Sequence, residues 1–222
     1  VDVSDTVATL SAVHLPAACR VPRNDYSAQT SLREASPAMT RLEPIPPSNL
    51  DPEQRSLYAD ITEGPRAQGP RHFDLTREDG ALLGPFNALL LAPRLGSALQ
   101  ELGAAVRYQS SLTARTREIA ILTVAAHWDS AFEGSAHESV GRAVGLGAEE
   151  MAEIRAARVP ALDDPHEQAS AHLVRAMVEG DVDDEAWATW AHVVGDATVF
   201  ELTTLVGYYA TVALQMRVFR VD

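Results

Sequence analysis

Glu133 and His137 stand four residues apart in a stretch that reads as helix. That spacing puts a carboxylate and an imidazole on one helix face, about 6 Å apart. A carboxylate beside an imidazole fixes its tautomer and raises its affinity for a proton. Glu118 lies upstream, near the start of another helical stretch, where it can relay a proton or compete as a base; Arg115 and Arg117 are beside it. An arginine holds an anionic group with two parallel hydrogen bonds. Trp128 and Phe132 flank the break between the two helices with aromatic surface. These residues make a workable proton-transfer set for an anionic substrate. Spacing alone also fits a surface Glu–His pair, and Arg117 with Glu118 also fits an ion pair that holds two helices. No His-Glu-x-x-His run or EF-hand spacing occurs, and no metal is expected.

The elements that must position these groups all read as helices. Asp51-Pro52-Glu53-Gln54 is a start signal, with a capping residue followed by proline. Residues 64–80 form a long loop. Pro85 opens a short apolar helix to Leu91, and Pro93 opens the next, to about Tyr108. Thr113 caps a helix through Asp129 that is apolar on most sides and therefore buried. The helix bearing Glu133 and His137 follows and ends at Gly145-Leu146-Gly147, a glycine stop. Three amphipathic segments follow at 148–157, 165–179 and 184–194. The last helix, 197–219, is long and apolar, with Gly207 at its middle. Strand alternation never persists, so the fold class is all-α.

Composition narrows the function. The chain has 222 residues and a formal net charge of −13; all 18 basic residues are arginine. An acidic chain without a basic block is a poor match for nucleic acid or an anionic membrane surface. Segment 148–185 carries eleven of the acids, outside the Glu–His stretch, and reads as a solvated face. Cys19 is the only cysteine, which excludes an intrachain disulfide and CxxC chemistry. No unbroken apolar run of about 18–20 residues suggests a membrane span, and a cytoplasmic protein is expected. Residues 1–38 lack helical or strand period and read as a flexible N-terminal extension, ahead of a single domain over 39–222.

The text around the pair resembles a known family. Leu112-Thr113-Ala114-Arg115-Thr116-Arg117-Glu118-Ile119, then Phe132-Glu133-x-x-x-His137, are similar to the L-T-x-R-x-R-E-I and Y-E-W-x-x-H segments of the carboxymuconolactone decarboxylase family. Gly84-Pro85-Phe86-Asn87-Ala88-Leu89-Leu90 resembles its G-P-F-N-x-L-L segment. Glu201-Leu202 with Val206-Gly207-Tyr208-Tyr209 resembles its closing helix. The likeness runs from about Leu42 to Val221. It implies the all-helical fold shared with the AhpD-type alkylhydroperoxidases. Peroxidase members place two cysteines where this chain has Ser130 and Glu133, so the thiol cycle of that branch has no counterpart. The decarboxylase-like branch keeps Glu and His, as Glu133 and His137 do here. Gly134 stands where that branch has Trp, and Leu91 where many members have His, which implies a pocket of different shape or polarity.

The resemblance implies a cofactor-free acid/base lyase acting on a small carboxylated lactone or keto-acid-type substrate. His137 would be oriented by Glu133, and Glu118 would relay or partner Arg115. Arg115 or Arg117 would anchor a carboxylate. Asn87, Phe86, Leu91, Trp128, Ser130, Phe132 and Gly134 would line the substrate pocket. An isomerase, cyclase or dehydratase of specialised metabolism on the same scaffold is the alternative, and a non-catalytic oligomeric ligand-binding protein is a third. A homo-oligomer, trimer or hexamer, is implied, and the long apolar last helix fits burial against a neighbour.

Overall fold

The computed structural model describes residues 40–64 and 74–221. The extension expected over residues 1–38 lies outside the described residues, as does much of the loop expected at 64–80. The described chain is all-α. Helices α1 (Pro52–Glu63), α2 (Pro85–Leu89), α3 (Pro93–Tyr108), α4 (Ala114–Trp128) and α5 (Ala131–Ala143) are followed by α6 (Ala148–Arg155) and α7 (Pro165–Glu179). Then come α8 (Asp184–Ala186), a π-helical turn (Trp187–Ala191), α9 (His192–Val194) and α10 (Asp196–Phe219). Among the described residues, extended pairing is limited to one bridge between Thr76 and Leu82.

Local chemistry sets the helix ends. Asp51 accepts from the Gln54 N–H while the Gln54 side chain accepts from the Asp51 N–H, closing a capping box on α1. The Thr113 hydroxyl accepts from the Thr116 N–H and starts α4. Asp129 ends α4 in the left-handed region, at φ 51°, so α5 leaves in a new direction. The segment expected as one helix at 184–194 is instead split by the wider π turn. That turn lays Trp190 flat on His172 of α7, with ring centroids 4.2 Å apart.

α4 is the central helix. Every residue from Glu118 to Ala125 is buried, and the helix packs against α5, α6, α7 and α10. Ala120, Ile121 and Val124 face α7 and α10 in the largest core cluster, with Leu173, Leu202, Leu205 and Met216. Each large apolar side chain so buried contributes roughly 1.5–3 kcal/mol. Ile119 and Leu122 reach a second cluster with Met151 and Ile154 of α6. A helix buried on nearly all sides leaves no solvent for a polar side chain, so Glu118 must be satisfied from within.

α10 is more apolar than the sequence reading allowed. Its 24 residues include an 18-residue window of mean hydropathy 1.3, long and apolar enough to cross a membrane by length and composition. In this fold it supplies Val199, Leu202, Leu205, Tyr208, Tyr209, Val212, Ala213 and Met216 to the buried interior. Its other side exposes Phe200, Leu214 and Val218.

Candidate active site

Glu118, Glu133 and His137 are 1%, 3% and 5% exposed. Glu118 reaches its place because α4 is the core helix, and the other two because the turn at Asp129-Ser130 rolls one face of α5 inward. The predicted partnership between Glu133 and His137 does not form. His137 Nδ1 instead lies 2.6 Å from Oε2 of Glu118, across the α4–α5 contact. The i, i+4 spacing puts Glu133 on the inward face of α5, but the carboxylate in line with the ring edge comes from the neighbouring helix.

The opposite ring edge fixes the tautomer. Arg107 Nη1, from the last turn of α3, lies 3.4 Å from His137 Nε2. Arginine has only donors, so in this contact Nε2 accepts and the ring hydrogen sits on Nδ1, where it is donated to Glu118. His137 is thereby held between a carboxylate and a guanidinium. Tyr209 of α10 meets the ring edge-to-face at 5.4 Å, and Tyr208 packs edge-to-face on Tyr209 at 5.0 Å. Burial works against the charge of Arg107. Tyr209, Glu118 and Tyr108 outweigh it, and the guanidinium is held more firmly protonated than usual.

Glu133 is in the opposite condition. Neither carboxyl oxygen has a hydrogen-bond partner. Burial pushes its pKa up to about 8; the nearby Ser130 hydroxyl offsets this only in part and stays outside hydrogen-bond geometry. Near neutral pH the group is therefore a carboxylic acid, because ionising it in an apolar setting without a partner is costly. Glu133, His137, Arg107, Tyr208 and Tyr209 share one small cavity of about 30 Å³ with Pro85, Phe86, Phe132, Ala136 and Val212. That volume holds a water molecule or two, so a larger ligand enters only when the walls part.

The other predicted residues divide into two groups. Phe86 and Phe132 line the cavity as expected. Phe132 lies so close over Gly84 (φ 54°) that a Cβ there would fall 2.5 Å from the ring, so glycine is required at that spot. The remaining residues do not line the cavity. Arg115 bonds Glu150, Glu167 and the Gly145 carbonyl, tying α4 to α6 and α7. Arg117 donates to the Leu112 carbonyl, and burial next to Arg107 weakens its hold on its proton despite Glu118. Asn87 is a clamp: its amide donates to the Glu43 carbonyl and its oxygen accepts from the Ile45 N–H. Leu91 is 50% exposed. Trp128 packs against the main core. Gly134 opens onto a separate groove of about 330 Å³ between α4, α5 and α6, where a Cβ would meet nothing within 4 Å. A larger hollow of about 870 Å³ beside α1 and α3 shares no lining residue with the cavity. Among the described residues, no three His, Cys, Asp or Glu side chains converge as metal ligands.

Sequence reading missed the direct role of Arg107 and the ring contact of Tyr209. The available signals were an arginine inside the otherwise apolar last turn of α3 and paired phenols inside the apolar α10. Neither names its partner without the fold.

Residues 93–176, spanning α3 to most of α7, match the model of the carboxymuconolactone decarboxylase family. The matched segment covers less than half of the chain. It contains Arg107, Glu118, Glu133 and His137, and so every ionisable group that lines the cavity other than the two tyrosines, together with the carboxylate behind His137. No curated protein matches the chain.

Proposed function

We propose that this protein belongs to the carboxymuconolactone decarboxylase family and is a cofactor-free acid/base lyase acting on a small carboxylated lactone or keto-acid-type substrate. The observation that carries this reading is a buried, unpartnered carboxylic acid, Glu133, in one cavity with a cation, Arg107, and an imidazole, His137, that is anchored by Glu118. Environments that separate the proton affinities of neighbouring groups assign acid and base roles.

The substrate's C–C bond to its carboxylate breaks, carbon dioxide leaves, and the bonding electron pair moves into a conjugated carbonyl. Arg107 holds the negative charge that develops on that oxygen, in a site where water does not screen it. Glu133 delivers its proton to carbon and becomes a carboxylate. His137, anchored by Glu118, keeps Arg107 in place through Nε2 and offers that nitrogen as a base when Arg107 turns to the substrate. Acid/base assistance of this kind contributes about 10²–10⁴-fold.

Arg107 takes the anchoring part first expected of Arg115 or Arg117, since it is the arginine that lines the cavity. A homo-oligomer in the cytoplasm belongs to the same reading, supported by the exposed apolar residues of α10; sedimentation velocity tests the assembly. The test of activity is incubation with 4-carboxymuconolactone and related β-keto acids while carbon dioxide is measured. Release that is lost in Glu133→Gln and Arg107→Met supports the reading. Release unchanged in both variants ends it.

A further inference from the structure

Ser130-Ala131-Phe132-Glu133 has the spacing of a helix capping box, and Ser130 is the N-cap of α5. In such a box the serine hydroxyl accepts from the backbone N–H of the glutamate, and the glutamate side chain accepts from the serine N–H. Neither bond is made here. The Ser130 hydroxyl caps nothing. Its N–H donates instead to the Ala125 carbonyl at the end of α4. The Glu133 carboxyl is turned into the cavity, and Ser130 Oγ, though buried, has no hydrogen-bond partner. Two residues typed for a structural role are thus both released from it, and they lie beside each other.

Ser130 also faces outward from the cavity. It lines the groove between α4, α5 and α6 and a second hollow of about 450 Å³ bounded by Trp128, Met216 and Arg217. Asp129, exposed to solvent, lines both as well. The cavity that holds Glu133 is separate and small. An acid whose carboxyl oxygens are buried must be recharged before the next turnover, and Ser130 is a polar side chain next to Glu133 that also lines the outer grooves.

We propose that Ser130 is the proton-entry residue of the site, passing protons from water in the outer grooves to the buried carboxyl of Glu133. The inference rests on the proton-donor role given to Glu133 above. After Glu133 has protonated carbon, its carboxylate draws in the Ser130 hydroxyl, which rotates about χ1 to donate. Ser130 hands its proton to Glu133 and takes one from a groove water, which is recharged by bulk solvent. One proton leaves solvent for each proton delivered to substrate, and no oxidant, reductant or cofactor takes part. Ser130 acts through Glu133 and is a positioning and relay residue.

The test reads protons without needing a substrate. A rapid pH drop through the Glu133 midpoint is followed by time-resolved infrared spectroscopy of the carboxyl stretch, with the band assigned by its loss in Glu133→Gln. In Ser130→Ala the rate of Glu133 protonation falls by about tenfold or more, and the Glu133 midpoint rises because the offsetting hydroxyl is gone. Ser130→Thr, which keeps a hydroxyl, restores the rate, and Ser135→Ala on the exposed part of α5 leaves it unchanged. Equal rates in wild type and Ser130→Ala, or no recovery in Ser130→Thr, overturn the proposal. Because the hydroxyl caps nothing, Ser130→Ala keeps its fold, and far-ultraviolet circular dichroism checks this. If the chain proves inactive on every keto acid tried, the functional reading fails while the infrared rates still decide the role of Ser130.

Discussion

Two clusters hang from α4 three residues apart, and they are built on opposite terms. Arg115 points outward and is fully engaged, with Glu150 of α6, Glu167 of α7 and the Gly145 carbonyl. Every charge there has a partner, and each side chain keeps part of its surface, 12–25%, in solvent. Glu118 points inward to a set that is charged, buried and only partly satisfied: Glu118 with His137, His137 with Arg107, and Glu133 with nothing. A satisfied surface network holds helices together and has no spare capacity for a ligand. A buried set with an unpartnered acid is poor for stability, since each unpaired polar group costs about 1–3 kcal/mol, and it is what proton chemistry requires. Unspent hydrogen-bonding capacity therefore sets the candidate catalytic cluster apart better than the mere presence of charge, which both clusters have.

The sharpest way to break the comparison is catalytic. Glu133→Gln and His137→Ala each lower turnover on an active keto acid or lactone by about 10²–10⁴-fold, whereas Arg115→Ala leaves turnover within about twofold. Steady-state assays at fixed pH check this, and an Arg115→Ala loss as large as that of Glu133→Gln would erase the distinction.

Stability against pH comes next. The unfolded chain ionises Glu133 near its ordinary value of 4.5, while the folded chain does so at about 8. Between these values the folded state binds more protons, so its stability is intact below about pH 4.5 and declines as pH rises toward 8. The decline is at most on the order of 5 kcal/mol. Thermal melts from pH 5 to 8.5 therefore slope downward in wild type relative to Glu133→Gln, which removes the ionisable group; parallel curves would contradict the burial account.

Breaking the inner pair is costly too. Glu118→Ala removes the carboxylate bonded to His137 Nδ1 and lowers stability by about 3 kcal/mol in urea unfolding. The outer cluster gives the smallest effect. Arg115→Ala costs about 1 kcal/mol, and the loss shrinks at high salt because solvent screens those pairs.

Much of the scaffold was legible in the sequence. Capping residues and prolines at Asp51-Pro52, Pro93 and Thr113 place helix starts where the structure has them. The apolar pattern of 113–129 identifies a buried helix, since a chain without a polar face has nowhere else to go. Segment 184–194 was less legible, because a π turn is set by the seating of Trp190 on His172, which lies on another helix. The residues of the site were visible by type in Glu118, Glu133, His137, Phe86 and Phe132. Arg115, Arg117, Asn87, Leu91, Trp128 and Gly134 were placed near the substrate because they adjoin the motif in sequence. Each belongs to a different face of its helix or to a different partner in space.

What the sequence determined by itself is the all-α fold, the motif, and the absence of a thiol beside His137. Helix periodicity is local, and a missing cysteine needs no fold to interpret. Only the tertiary structure decided which carboxylate serves His137, which arginine enters the cavity, and that Glu133 is left neutral and alone. Those outcomes depend on how α3, α4, α5 and α10 meet. Partnership across helices is set by packing distance and desolvation, and one-dimensional spacing carries neither.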